Sequence, residues 1–191
     1  MKCINYKDNH KIRKDVQKLF LSAFPSDERP PAHIFFAKAK KENNDVYAYY
    51  DNDEFIGFTG IITYKDIIYI FFLAVPEAKR NMGYGSKILE YIKSSHRDKV
   101  VLLCYEEVDR KYEDYEKRVK RKEFYQRNGF LENGFKTNEF GVIFETAYYG
   151  VHKVNFEEYV EIFAAGFGEF ARQYIKKENW LFRYKSVLLF L

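Results

Sequence analysis

Three apolar, β-rich runs stand almost end to end between residues 46 and 75, and their spacing restricts the fold more than any other feature of the chain. "VYAYY" (46–50) and "EFIGFTGIITY" (54–64) flank the turn "DND", and "IIYIFFLAV" (67–75) follows the short turn Lys65-Asp66. Such short connections allow only antiparallel neighbours, since a parallel crossover needs roughly a dozen residues or more. The third run is apolar on both faces, which predicts a central place in the sheet. After it the pattern changes. Following "RNMGYGSK" (80–87), Tyr84, Ile88, Tyr91 and Ile92 recur at helical spacing, and "VVLLCY" (100–105) reads as a buried strand. The helical crossover predicts that this strand runs parallel to 67–75.

The flanking segments complete an α+β pattern. A helix is predicted over 8–23, with Ile12, Val16, Leu19 and Phe20 on one face. Pro25, Pro30 and Pro31 break it, and a second helix is expected over 32–41. A charged helix over about 109–128 closes at Gly129, and "FLENGF" and "EFGVIFETAYY" read as two more strands. Asn155 and Glu158 have the spacing of a capping box. The helix they would start carries Phe156, Tyr159, Val160, Phe163, Phe167 and Phe170 on its apolar face, with Gly166 and Gly168 expected to kink or shorten it. The expectation is a mixed, mainly antiparallel central sheet flanked by helices. No repeat or Gly/Ser/Pro-rich linker divides the chain, so residues 1–150 are read as one domain and 151–191 as a C-terminal extension on it.

Composition narrows the function. Aromatic content of 19% and 47% hydrophobic residues fit a packed globule. Thirty-two Lys+Arg against 28 Asp+Glu leave +4, a balance that argues against a dedicated nucleic-acid binder. The two cysteines, Cys3 and Cys104, are too few for a disulfide framework or a zinc site and read as reduced thiols. His10, His33, His96 and His152 have no base or metal spacing, so no metal is expected. The first residues lack a signal-peptide core, and no stretch approaches the roughly 18 apolar residues of a membrane span, so a soluble cytoplasmic protein is expected. "WLFRYKSVLLFL" at the end, interrupted by Arg183 and Lys185, reads as a packed strand or an interface element.

Two glycines and an arginine at a strand-to-helix turn suggest an anion cradle, because such a junction exposes unpaired N–H groups at the positive end of the helix dipole. The spacing excludes a P-loop, since Ser86 precedes Lys87 and no glycine holds the required positions. A dinucleotide fingerprint lacks its third glycine, where Ile88 stands, although Glu106 lies near the place of a ribose-binding acid. The preceding hairpins do not fit a doubly wound sheet.

Arg80-x-x-Gly83-x-Gly85, after a strand ending "LAVPEAK", resembles the Arg/Gln-x-x-Gly-x-Gly/Ala motif of the GNAT (general N-acetyltransferase) superfamily. About forty residues on, "FYQRNGF" (124–130) resembles that superfamily's second signature. The element order is similar to the family fold over about residues 8–149. The resemblance implies acetyl-coenzyme A as donor. Backbone N–H groups of Asn81, Gly83, Tyr84, Gly85 and Ser86 would hold its pyrophosphate, with Arg80 setting the loop. The strand before the loop would splay from the parallel strand after it, 73–75 from 102–104. Pantetheine would lie between them on the backbone of Leu73 and Val75, whose N–H groups could also face the oxyanion. Tyr125 matches the tyrosine that many relatives use as general acid. By helical spacing it lies about 120° from the stripe Tyr112, Tyr115, Val119, free to face something else.

The base is less defined. Glu106 and Glu107 are the best-placed carboxylates, followed by Asp27 and Glu28. Relatives often carry Asn-x-x-Ala before Phe-Tyr; here Arg118 and Arg121 stand instead, within "KRVKRK" (117–122). That run reads as a solvated helix face, with nucleic-acid contact as the alternative. The acceptor is expected to be a small-molecule or peptide amine, drawn by Asp27, Glu28 or Glu145. The extension would cap the core, close the acceptor pocket or pair with a second subunit in a homodimer. A catalytically silent acyl-coenzyme A sensor is the competing reading.

Overall fold

The computed structural model describes residues 1–24, 29–40, 42–139 and 141–178. Asp27, Glu28 and the terminal "WLFRYKSVLLFL" lie outside the described residues. In chain order the elements are β1 (Lys2–Asn5), a 3-10 turn (His10–Ile12) leading into α1 (Arg13–Ala23), α2 (Ala32–Lys38), β2 (Asn44–Asp51), β3 (Glu54–Tyr64) and β4 (Ile67–Ala74). Then come α3 (Tyr84–Ser95), β5 (Val100–Glu106), α4 (Tyr115–Arg127), β6 (Leu131–Glu139), β7 (Val142–Tyr149), α5 (Phe156–Phe167) and β8 (Ile175–Glu178). Among the described residues the strands form one mixed sheet of eight in the order β1-β2-β3-β4-β5-β7-β6-β8. Each neighbouring pair is antiparallel except β4 and β5, as the short turns and the single crossover dictate.

On one face α3 and α4 cover Ile61, Ile68, Ile70, Val101 and Leu103. On the other, α1 and α2 bring Val16, Phe20 and Phe35 against Phe58. α5 brings Tyr159, Ile162 and Phe163 against Ile62, Tyr69 and Leu102 on that same side. Removing Phe20 from water, at 0% exposure, contributes on the order of 2–3 kcal/mol. The alternation along β5 assigns its side chains: Val101, Leu103 and Tyr105 to the α3/α4 face, Leu102 and Cys104 to the α5 face.

Several boundaries differ from the sequence reading. β1 and β8 were not expected; "KCIN" and "IKKE" are four-residue edge strands held by their neighbours' backbone, with no alternating pattern of their own. α4 begins at Tyr115, so Tyr112 lies in the preceding turn and the supposed stripe does not exist on the helix. Tyr91 is exposed at 37% while Leu89 takes its place in the core. The Asn155–Glu158 capping box is present. Gly168, at φ +98°, ends α5, and Phe170 falls beyond it into solvent. Gly166 lies inside α5, which runs on to Phe167. It presses α5 onto β3 so closely that a Cβ there would lie 2.2 Å from Ile62 Cδ1.

Candidate functional site

β4 and β5 run paired from Ile67/Val100 only to Ile70/Leu103. β4 continues to Ala74 and β5 to Glu106, so the strands part beyond those pairs. The register between β3 and β4 slips at this point: Ile61 faces Ile70 and Gly60 faces Phe72, leaving Phe71 as an extra residue. A bulge of this kind bends and twists its strand, which directs β4 away from β5. Gly60 makes room for it, since a Cβ there would lie 2.9 Å from the Phe71 ring. β5 keeps its other edge on β7, with Cys104 opposite Thr146. The β5-facing edge of residues 71–74 therefore has no strand partner among the described residues, and its peptide groups can pair with an amide-bearing ligand. Leu73 stands on this segment and Val75 just beyond it, both half-buried. Leu102 does not face the gap as expected: it is still paired with Tyr69, and the opening on β5 starts at Cys104.

The loop that follows β4 leads into a helix start with unpaired backbone N–H groups. The first helical bond of α3 runs from the Lys87 N–H to the Gly83 carbonyl at 3.0 Å, and no side chain caps the start. The N–H groups of Tyr84, Gly85 and Ser86 thus point outward at the positive end of a 12-residue helix. Gly83 is left-handed at φ +79° and no described residue lies within 4 Å of where a Cβ would be, so the backbone here is open to close approach. Asn81 is also left-handed, at φ +63°. Arg80 donates from Nε to the Val75 carbonyl at 3.4 Å, tying the loop to the end of β4, and has no carboxylate partner among the described residues.

The two sequence motifs meet in space. The Phe124 ring lies over Gly85, where a Cβ would come within 3.0 Å of it. Next to it Tyr125 stacks on Tyr105 with centroids 5.7 Å apart and meets Phe130 at 6.0 Å. Burial among these groups raises the Tyr125 phenol above its ordinary value; Arg121 opposes the rise and the Cys104 thiol adds to it. Tyr125 is thus a neutral proton carrier at physiological pH. It borders the opening from the α3/α4 face, while Cys104 borders it from the other.

The carboxylates singled out in the sequence are occupied by cations. Glu106 pairs with Arg121 and, at 3.5 Å, with Arg118. Glu107 takes Lys111 at 2.7 Å and Lys136 at 3.0 Å. Glu145 takes Lys122 at 2.9 Å and Lys136 at 3.4 Å. Burial pushes the Glu145 carboxyl up, but the Lys122 hydrogen bond and the charges of Lys122 and Lys136 outweigh it and hold the group below its usual range. Half of "KRVKRK" is therefore committed to this network through Arg118, Arg121 and Lys122, rather than forming a solvated face. His152 and Asp66 form a separate surface pair at 3.0 Å.

A different carboxylate, not singled out in the sequence, lies on the α5 face. Glu139 ends β6 and accepts hydrogen bonds from Tyr159 and Thr137, with Tyr69 and Cys104 joined to Tyr159. Its sequence signal was weak: one acid at the head of "EFGVIFETAYY", a string in which Glu145 drew the attention.

Residues 42–132 match the family model of the acetyltransferase (GNAT) domain. No curated protein matches the chain in sequence. Among solved structures, a protein from Bacteroides thetaiotaomicron assigned to the GNAT family superposes with a TM-score of 0.70 at 19% identity, over 88% of this chain and 99% of its own. An aminoglycoside 6'-N-acetyltransferase complexed with coenzyme A superposes at 0.62 with 16% identity, over 81% and 100%. The ribosomal-protein-S18-alanine N-acetyltransferase of Escherichia coli superposes at 0.59 with 12% identity, over 81% and 96%. The chain has the GNAT fold.

Proposed function

We propose that this chain, a GNAT-fold protein whose residues 42–132 match the GNAT domain, transfers an acetyl group from acetyl-coenzyme A to a primary amine of a small molecule or peptide, by direct attack in a ternary complex. The observation that carries this reading is the convergence of the two motifs. Phe124 packs on Gly85 at the mouth of the parted strands, which sets Tyr125 beside the opening and the loop amides at its end. The amine specificities named for two structural neighbours, an aminoglycoside and a ribosomal-protein alanine, support the choice of acceptor class. No helix among the described residues is long and apolar enough to cross a membrane. A cytoplasmic setting fits the two free cysteines.

The fit of the donor rests on three features: unfilled space at Gly83, outward N–H groups at the α3 start, and a β4 edge without a partner strand. Asn81, Gly83, Tyr84, Gly85 and Ser86 take the pyrophosphate through backbone N–H groups, and Arg80 holds their loop to Val75. Leu73 and Val75 present backbone groups to the pantetheine arm, and N–H groups of that segment face the oxygen on which charge develops. The bound donor supplies an acetyl group activated as a thioester. Tyr125, kept protonated by its apolar surroundings, holds a proton at its phenol oxygen for the departing sulfur. Glu106 is a weak candidate for the base, because two guanidiniums hold its carboxylate in the charged, unprotonated form. We assign it to anchoring α4 against the end of β5.

That commitment of Glu106, Glu107 and Glu145 to ion pairs is also what keeps a silent acyl-coenzyme A sensor in view. Mixing the chain with acetyl-coenzyme A and a panel of primary amines separates the two readings. Transfer releases free thiol in proportion to amine consumed. A sensor binds the coenzyme in a calorimeter and releases none.

A further inference from the structure

A cavity of about 220 Å³ lies on the α3/α4 face of the sheet, away from the parted strands. Its floor is Cys3 of β1 with Tyr47 and Tyr49 of β2, which the antiparallel register brings to one face. Its wall is the last turns of α3, Tyr91 and Ser95, with His96 just past the helix end. Tyr49 is buried at the bottom, Cys3 and Tyr47 are half-buried, and Tyr91 and Ser95 are exposed, so the space opens to solvent. Cys3 stands opposite Tyr49 on the outer strand, and its short side chain leaves room that a longer one would fill.

The lining selects by size, shape and charge. An apolar cavity of about 150 Å³ is enough to hold benzene, so this one has room for one ring or two fused ones. Three tyrosines line it, and Tyr49 and Tyr91 meet edge to face with centroids 5.9 Å apart. Their hydroxyls are already engaged, Tyr49 with Thr59 at 3.0 Å and Tyr91 with Cys3 and Ser95. Burial pushes the Cys3 thiol up to about 11, against the hydrogen bonds of Tyr91 and Tyr49, so it lines the space as a neutral group. His96 Nδ1 lies 2.9 Å from the Ile92 carbonyl, which can only accept, so the ring proton is on Nδ1. In the neutral ring Nε2 is then an acceptor, and it has no hydrogen-bond partner among the described residues. No Asp, Glu, Lys or Arg lines the cavity. Asp45, two residues before Tyr47, is held by Lys7 at 3.0 Å and Asn5 at 2.8 Å. A charged ligand would lose its hydration here without meeting a counter-charge.

We propose that this cavity is a second binding site, for a small, neutral, flat aromatic molecule carrying one N–H donor, of the size and chemistry of indole. The tyrosine rings take its faces and edges, and His96 takes the donor. The site stands apart from the transfer reading above. It uses the last turns of α3, whereas the glycine loop precedes the first, roughly 10–17 Å away along the helix. An occupant therefore does not compete with a molecule held at that loop.

Calorimetric titration with indole near pH 8 tests this on wild type and on Ser95→Trp, which sets a large side chain at the exposed rim. Indole should saturate wild type at one molecule per chain, with the same affinity whether or not coenzyme A is present. Ser95→Trp should weaken it by about tenfold or more, by filling the space. N-methylindole, which lacks the donor, should bind wild type about five- to tenfold more weakly than indole. Benzoate, flat but charged, should not saturate. A second readout needs no variant: alkylation of Cys3 by iodoacetamide, followed by mass analysis of its peptide, should slow about tenfold at saturating indole, with the Cys104 peptide unaffected. Indole that fails to saturate, or that leaves Cys3 alkylation unchanged, overturns the site. So does equal binding to a folded Ser95→Trp. N-methylindole or benzoate binding as tightly as indole overturns the ligand class.

Discussion

The loop region after β4 and the side-chain cluster on the α5 face are built by different means. The loop region is backbone: a bulge that parts β4 from β5, a left-handed glycine, and the first N–H groups of α3. Its key positions fall within residues 60–130 and follow one another along the chain. The α5-face cluster is side chains gathered from four elements, Tyr69 on β4, Cys104 on β5, Glu139 on β6 and Tyr159 on α5. A backbone cradle needs particular residue types at fixed offsets, because only glycine permits the close approach and the left-handed turn. A side-chain cluster needs only that distant segments meet. The first kind leaves a motif and the second does not.

The largest effect expected is in the loop region. Gly83→Asp should weaken coenzyme A binding by about 100-fold or more in calorimetry, since it sets a carboxylate among N–H groups built for an anion. Gly83→Ala carries the same left-handed cost of about 1–2 kcal/mol without the charge, and should weaken binding far less. Equal losses would mean that the loop matters for its shape alone. Tyr125→Phe should come next, lowering kcat by about 100-fold while coenzyme A affinity stays nearly constant. An unchanged rate rules out the proton-donor role.

On the α5 face the expected effects are smaller and fall on stability. Gly166→Ala drives a methyl into Ile62 and should cost about 1–3 kcal/mol in denaturant unfolding; if it costs nothing, the close seating of α5 on β3 is not needed. Asn155→Ala removes the side-chain half of the capping box and should cost about 1 kcal/mol. For Glu139 the sign is fixed by its raised carboxyl. Folding prefers the protonated form, so wild type loses stability as pH rises from the unfolded value of 4.5 toward the folded one. Glu139→Gln should therefore melt higher than wild type at pH 8 and at nearly the same temperature at pH 4.5. A variant destabilised at pH 8 would mean that the Tyr159 and Thr137 hydrogen bonds to the Glu139 carboxylate outweigh its burial.

Much of the fold was legible for the same reason as the donor site. The turns at 51–53 and 65–66 are too short for anything but hairpins, and β2, β3, β4 and their order follow from that. The parting of β4 from β5 came from the resemblance, and its physical source, the Phe71 bulge opposite Gly60, has no local signature. The edge strands β1 and β8 were invisible because four-residue polar segments acquire structure only from a neighbour. Glu106 was singled out by its place after β5, but sequence order does not reveal that Arg118 and Arg121 on the next helix turn back onto it. Glu139 was passed over because its apolar company, Tyr69 and Tyr159, lies 70 residues before it and 20 after it in the chain.

The central claim is that the backbone-built side holds a donor whose acetyl group leaves for an amine. It is tested most directly by incubating the chain with acetyl-coenzyme A and phenethylamine, then measuring free thiol and N-acetylated amine in the same sample. The account predicts that the two appear together, in equal amounts, and only when chain, donor and amine are all present. Saturable coenzyme binding with neither product, for phenethylamine and for every other primary amine tried, would contradict it.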